Sequence, residues 1–494
     1  MRLLDLPDEL LLLCCEQTDM LAARALRLSC KRLAPLFTKR LFSHFHLLPT
    51  TDSAIKARSI LENRDLMPLV TTISIRASLD EWDSNVDFHP TWDVTSWADD
   101  DLEDPDQEKY GIDLNGEPSH AYKRMLNDIG LFGNLRRVEV IFDWDAHCDD
   151  NDVSGNHKEW TAYRDPFLKS VFAALNHSEH PAGKVHSLCI HNLADLSNYE
   201  LLKSDDFKAV IERLDSLELS IAAEECESSP ESEIEYPERH RFFGKDLIEY
   251  WLAPTQPHLV NLKLYSNCYW GYLPKCDFRP LHFPHLKSLA FGNMTFTHDW
   301  QIDWILSHGK TLQSLTLDDC PIVHDAMMCD QDLNSERYVK LQDDYTIQTS
   351  GGQPTWSYGP RWHDYFRKLT AGLPHLQRFA IGHGPWNSCY GEDKTTAPFL
   401  AAAELAARLR ASRYVIFHGG TGPCQWIEPE NSREWTNVHD DGDGANYEGR
   451  YDSCWDEDDV PPPPTYPDCW GRDQEALDEL LAGVEERRKS GRRD

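Results

Sequence analysis

The chain has little that would serve an enzyme or a metal centre. Its 494 residues include 14 Cys but no C-x-x-C pair, so neither a zinc ribbon nor a thioredoxin-type site is expected. Cys14 and Cys15 lie in an apolar run, Cys189 in a strand-like segment, and Cys268 and Cys320 just after such segments. Thiols scattered in this way pack as small hydrophobes and suit a reducing compartment. No stretch approaches ~20 apolar residues, so no membrane helix is expected. The run Leu10–Cys15 follows Asp5, Asp8 and Glu9, whereas a secretion signal needs a basic start. The expected location is cytoplasmic or nuclear. Basic residues are scarce as well: 49 Lys and Arg against 83 Asp and Glu leave a formal charge of −34. Phosphate backbones repel such a chain, and nucleic acid is not an expected partner.

Catalytic motifs are equally sparse. There is no G-x-x-x-x-G-K-[ST], no G-x-G-x-x-G after a strand and no H-E-x-x-H. The turn His418-Gly419-Gly420-Thr421-Gly422 could shape an oxyanion hole, but no G-x-S-x-G nucleophile elbow accompanies it, so it reads as a tight glycine turn. His44 and His46 would share one face of a strand, yet no acid or Cys stands near them in sequence, and they read as surface or packing histidines. The acidic Asp440-Asp441-Gly442-Asp443-Gly444 lacks the register of a calcium loop. No cofactor and no metal are expected, and the chain is not read as an enzyme.

What the chain does have begins at its N-terminus. Pro7 is pre-set for a first helical turn, acids follow it, and a helix is expected over about residues 7–17. Thr18 or Asp19 can cap a second helix, whose Leu21, Ala25 and Leu28 recur at helical spacing. Pro35 interrupts, and a third short helix carries Leu36, Phe37, Leu41 and Phe42. Six consecutive apolar residues, Leu10–Cys15, cannot share one ~100° stripe. A unit this small has little interior to absorb the surplus. Some of that surface must meet another surface, in this chain or in a partner.

These residues carry a resemblance. Leu6-Pro7, Glu9-Leu10-Leu11, Leu26 with Leu28-Ser29-Cys30-Lys31-Arg32-Leu33, and the closing Leu41-Phe42 follow in the order of an F-box. The segment is similar to that family over about 45 residues. The resemblance implies docking to the Skp-type adaptor and cullin scaffold of an SCF ubiquitin ligase. Leu6, Pro7, Leu10, Leu11, Leu28 and Leu33 would make the contact.

Downstream a short Leu-x-x-Leu-x-Leu-like motif recurs after helical stretches. It is present at residues 69–75, 135–140, 185–190, 214–219, 259–264, 286–291, 312–317 and 376–381, with a weaker ninth at 414–417. Between central residues the spacing is 29 from Leu188 to Leu217, 27 from Leu262 to Leu289 and 26 from Leu289 to Leu315. These values fall in or near the ~20–29-residue range of leucine-rich repeats. Longer gaps, 50 from Val138 to Leu188 and 64 from Leu315 to Phe379, imply insertions. Helical stretches are expected at 206–213, 245–252, 300–307, 362–373 and 398–409. Strand and helix alternating in this way imply parallel βα units that bury their apolar faces on one another. The leucines point inward, and Glu218, Lys263 and Thr316 would line a concave, target-binding face. The pattern resembles irregular fungal-type F-box proteins with leucine-rich-repeat-like tails.

Acidic insertions at 80–107 and 224–238 read as loops. Residues 437–468 are acidic and aromatic, and Pro461–Pro464 favour an extended linker. Leu477, Leu480, Leu481 and Val484 then give an amphipathic helix with a basic end. The expected fold is α/β: a three-helix F-box followed by an irregular leucine-rich-repeat-like βα solenoid. The expected segments are 1–48 for the helical module, 49–425 for the solenoid, 426–472 for the linker and 473–494 for the terminal helix. The expected function is substrate recognition for an SCF-type ligase, with an unknown protein as substrate. The alternative is an interaction scaffold without a ligase role.

Overall fold

A computed structural model describes residues 6–77, 119–142, 161–177, 185–222, 237–327, 348–350, 353–382, 405, 407–410, 413–418 and 467–490. The chain forms two compact units. One comprises residues 1–193 and 198–217, the other 194–197 and 218–494. The expected α/β class is found, with mostly parallel strands.

The first unit opens with helices α1 (Asp8–Glu16), α2 (Met20–Ser29) and α3 (Ala34–Ser43), followed directly by strand β1 (His44–Leu47). Then come α4 (Thr51–Glu62), β2 (Thr72–Arg76), α5 (His120–Asn127), β3 (Arg137–Ile141), α6 (Thr161–Asn176), β4 (Ser187–Ala194), α7 (Tyr199–Leu202), α8 (Asp205–Ile211) and the start of β5 (Ser216–Ala222). Strands β1 to β4 pair in parallel and in chain order, with Phe45, Ile73, Val138 and Leu188 in one row. The apolar residue three positions before the central one lies just ahead of each strand; in the first motif this is Val70, one residue after the expected Leu69. Val70, Leu135, Val185 and Leu214 are all buried there. From β3 to β5 each strand begins in the same way. Two successive N–H groups donate to one carbonyl of the preceding strand: Arg136 and Arg137 to Thr71, His186 and Ser187 to Arg136, Asp215 and Ser216 to His186.

The second unit repeats that geometry. It contains α9 (Pro237–Arg241), a wide π-type helix at Phe242–Leu252, β6 (Asn261–Trp270), β7 (Ser288–Met294), α10 (Asp299–Ser307) and β8 (Ser314–Asp318). Lys287 and Ser288 donate to Val260, Gln313 and Ser314 to Lys287, and Gln377 and Arg378 to Gln313. The last of these pairs opens β12 (Arg378–Gly382), which runs parallel to β8 after the helix Trp362–Gly372. Between β8 and that helix the chain makes β9 (Ile322–Met327), β10 (Gln348–Ser350) and β11 (Gln353–Ser357). With β13 (Tyr414–His418) they form a separate four-stranded sheet in the order β10-β11-β9-β13. The core is aromatic: Trp270 stacks on Phe243 at 5.7 Å, and Phe278 on Trp304 at 4.9 Å.

Three residues beyond the leucines recur. Asn192, Asn293 and Asp319 stand four positions after Leu188, Leu289 and Leu315, all with positive φ (57°, 58° and 47°). Asn and Asp tolerate this left-handed conformation better than other non-glycine residues. The two amides use it to reach the neighbouring strand. Asn192 Nδ2 donates to Phe142 O at 3.0 Å, and Asn293 Nδ2 to Ser266 O at 2.7 Å.

Some expectations change in the structure. Pro35 does not interrupt a helix but sits in the first turn of α3, where its missing N–H costs nothing. The weaker ninth motif does not extend the repeat ladder; its strand β13 pairs in parallel with β9 in the separate sheet. Residues 407–409 of the expected helix 398–409 carry no helix. The acidic insertion 80–107, residues 224–236, the His418 glycine turn beyond His418 itself, the acidic turn 440–444 and the proline run 461–464 lie outside the described residues. Among the described residues no helix is long and apolar enough to cross a membrane.

Candidate partner-docking surface

The three N-terminal helices are built from short local signals. Asp19 Oδ1 accepts from the Ala22 N–H at 2.8 Å and starts α2, as expected of an acidic N-cap. Leu11, Cys15, Ala23, Leu33 and Phe37 form the buried centre, with Leu6, Leu26, Cys30, Leu36 and Leu41 packed around it. Basic side chains tie the helices together. Arg32 donates to Leu6 O at 2.8 Å, Arg27 to Thr38 Oγ1 at 2.8 Å, and Arg40 to Thr18 O. Arg27 also lies over the Phe42 ring, 5.3 Å from its centroid.

So small a centre leaves much apolar surface outside. Leu10, Leu13, Met20, Leu21 and Leu28 are all exposed, Leu21 to 75% and Leu28 to 83%. Only Ile55 and Trp470 join them among the large exposed hydrophobics of the described residues. Burying one such side chain is worth about 1.5–3 kcal/mol, so a partner covering even two of them gains substantially. The charge around these side chains is divided: α1 and the turn after it carry Asp8, Glu9, Glu16 and Asp19, whereas the next two helices are basic. Residues 20–43 hold Arg24, Arg27, Lys31, Arg32, Lys39 and Arg40 and no acid, in a chain of net charge −34.

The six residues expected at the docking surface divide accordingly. Leu10, Leu28 and Pro7 are exposed and Leu6 is half-buried, while Leu11 and Leu33 lie in the buried centre. Met20 and Leu21 join the surface. Sequence reasoning placed Leu21 in the helical pattern but had no means of telling which side of α2 would be covered.

The three residues expected on a concave face fare differently. Glu218 and Lys263 come together as an ion pair at 3.2 Å, and Asn261 Nδ2 donates to the same carboxylate oxygen at 3.1 Å. Glu218 is buried, and so is Thr316, whose strand neighbours are Ala290 and Ala380. Neither side chain stands open to a partner.

A second polar centre has no counterpart in the sequence reading. The last helix, Trp470–Ser490, packs on the helix Trp362–Gly372, burying Ala476, Leu477, Leu480 and Val484. Asp473, in its first turn, is fully buried. Its carboxylate accepts from the His363 N–H at 3.1 Å, His363 Nδ1 at 2.7 Å, Arg413 Nε at 2.8 Å, Tyr414 OH at 2.9 Å and Cys469 Sγ at 3.3 Å. Burial pushes the carboxyl up, but the hydrogen bonds from Arg413, His363 and Tyr414 outweigh it and hold it below the ordinary range. Burial likewise raises the Tyr414 phenol and the Cys469 thiol, with Asp473 adding to both.

His363, Cys469 and Asp473 bring three potential ligand atoms within 4.8 Å of one another. The donor set does not fit a metal. The carboxylate is already surrounded by N–H, O–H and S–H groups and balanced by Arg413. A divalent ion would have to displace those bonds and deprotonate a thiol that burial keeps protonated. The arrangement instead holds a helix in place.

The chain matches no protein-family model, and no curated protein sequence matches it.

Proposed function

We propose that this chain is a substrate-recognition adaptor of an SCF-type ubiquitin ligase, docking the Skp-type adaptor through α1 to α3 and presenting a target protein on its repeats. The observation that carries the reading is the set of large apolar side chains left exposed on α1 and α2, Leu10, Leu13, Met20, Leu21 and Leu28. A helical trio whose own centre is complete, yet which leaves five large apolar side chains in water, is built to be covered. The resemblance of the sequence to an F-box supports the Skp-type adaptor as that partner, and the Lys and Arg residues between 20 and 43 suit an acidic rim on it. Such an adaptor needs no catalytic group of its own, because holding two proteins close is its contribution.

We read the two parallel ladders as turns of an irregular leucine-rich-repeat-like solenoid. The recurring pair of N–H donors to one carbonyl and the left-handed Asn at the end of the strand support this. Leu10 and Leu13, both exposed, weigh for docking to another protein over a scaffold whose helical trio packs on its own solenoid.

Pull-down of the purified Skp-type adaptor tests the reading. The full chain should retain it. Leu21→Asp with Leu28→Asp should weaken retention at least about a hundredfold, the loss of two buried leucines. Both positions are so exposed that the double variant should fold normally. Failure of the unmodified chain to retain the adaptor, or equal retention by the double variant, overturns the proposal.

A further inference from the structure

The second unit enters its parallel strands through four similar turns. Residues 256–260, 281–287, 308–313 and 373–377 stand just ahead of β6, β7, β8 and β12. None of the four turns holds an Asp or Glu, in a chain with 83. Three carry the same tripeptide: Pro257-His258-Leu259, Pro284-His285-Leu286 and Pro374-His375-Leu376. In each, the leucine is buried and the histidine exposed. The buried leucine fixes the turn and sets the imidazole toward water.

Backbone bonds hold the turns in one register. The Lys287 N–H donates to Val260 O at 2.8 Å, Gln313 to Lys287 O at 2.8 Å, and Gln377 to Gln313 O at 2.7 Å. The side chains of Lys287, Gln313 and Gln377 in that row are exposed, as is that of Lys310. Neither these side chains nor His258, His285 and His375 make a hydrogen bond or ion pair with any described residue. The last helix adds to the same edge. Arg487 Nε donates to Leu376 O at 2.8 Å and brings the helix's basic end to the turn before β12. Arg487 has no acidic partner among the described residues, whereas Arg488 and Lys489 share Glu485.

We propose that this edge is a docking site for a short acidic segment of a partner protein. Lys287, Lys310 and Arg487 supply positive charge that no ion pair takes up, and the imidazoles and amides between them supply N–H donors. Neighbouring strands stand ~4.8 Å apart, so the four turns span ~14 Å. An extended chain covers that distance in four or five residues, at ~3.3 Å each. A run of Asp or Glu of that length meets a donor on every turn. Nucleic acid fits less well. Its binding sites neutralise ~6–10 phosphates, and this edge offers three fixed cations on a chain of net charge −34. The nature of the partner, a target brought to the ligase, rests on the adaptor reading. The edge itself is built without α1 to α3.

The test is fluorescence anisotropy on the full chain at low salt. The probe is a fluorescein-labelled peptide of four alternating Asp and Glu between glycines, beside an Asn and Gln version and a ten-nucleotide thymidine strand. The acidic peptide should bind and its amide version should not. Lys287→Glu with Lys310→Glu should weaken binding at least about tenfold. Both side chains are exposed and outside any ion pair, so the double variant should fold normally. Lys56→Glu with Lys208→Glu makes the same change of net charge on exposed lysines of the first unit and should leave binding unchanged. Leu21→Asp with Leu28→Asp should also leave it unchanged, so failure at the trio and failure at this edge remain distinct. Four results overturn the proposal: no binding of the acidic peptide, equal binding of its amide version, equal effects of the two lysine pairs, or tighter binding of the thymidine strand.

Discussion

Asp473→Asn should release the last helix from the second unit. The variant keeps the shape of the side chain and removes its charge. Arg413, 9% exposed, then loses its counter-ion, and an amide oxygen cannot accept from five donors as a carboxylate does. Breaking a buried pair from one side costs about 3–5 kcal/mol. At about 1.4 kcal/mol per factor of ten, the helix should open roughly two to four orders of magnitude more often. Amide hydrogen exchange reads this directly, because it reports the opening of one element apart from global unfolding. Amides of Ala476, Leu477, Leu480 and Val484 should lose protection by that factor. Acid should act similarly on the unmodified chain. The folded carboxyl titrates below its ordinary value, so its contribution is present above the ordinary carboxylate range and is lost as pH falls through the depressed value. The variant should lack that component. A loss of protection under about tenfold would refute the account, since an ion pair worth so little is not holding the helix.

Gly292→Ala should destabilise by about 1–3 kcal/mol, because a Cβ there would lie 2.1 Å from Cδ1 of the buried Tyr265 ring on the neighbouring strand. A thermal midpoint unchanged in the variant would show that the ring can move, and Tyr265→Leu should relieve the clash. His308 should make the second unit acid-sensitive. Its Nε2 accepts from the Phe283 N–H at 3.2 Å, and burial together with His282 lowers its pKa to about 4. Its contribution is therefore present above the ordinary value of 6.5 and is lost as pH falls toward 4, by up to about 1.4 kcal/mol per pH unit. His308→Gln should flatten the stability profile over that window, and superimposable profiles would contradict the assignment.

The N-terminal helices were legible because their signals are local. A proline pre-set for a first turn, Asp19 as a cap and leucines at helical spacing act within a few residues of one another. The strands were legible for the same reason: Leu286, Leu289 and Phe291 follow a short pattern that recurs along the chain. The separate sheet was not, since β13 looks like another repeat and only its pairing with β9 shows otherwise.

The sequence by itself determined that the chain is α/β, that it carries more apolar surface at its start than a small helical unit can bury, and that its strands recur near leucine-rich-repeat spacing. These follow from periodicity and composition, which are properties of neighbouring residues. Tertiary structure alone decided which leucines stay outside, because Leu11 and Leu28 carry the same side chain and differ only in what lies opposite them. It also decided that Glu218 and Thr316 are buried, and that His363, Arg413, Tyr414, Cys469 and Asp473 meet at one carboxylate. Residues more than a hundred positions apart have no pattern in common until the fold brings them together.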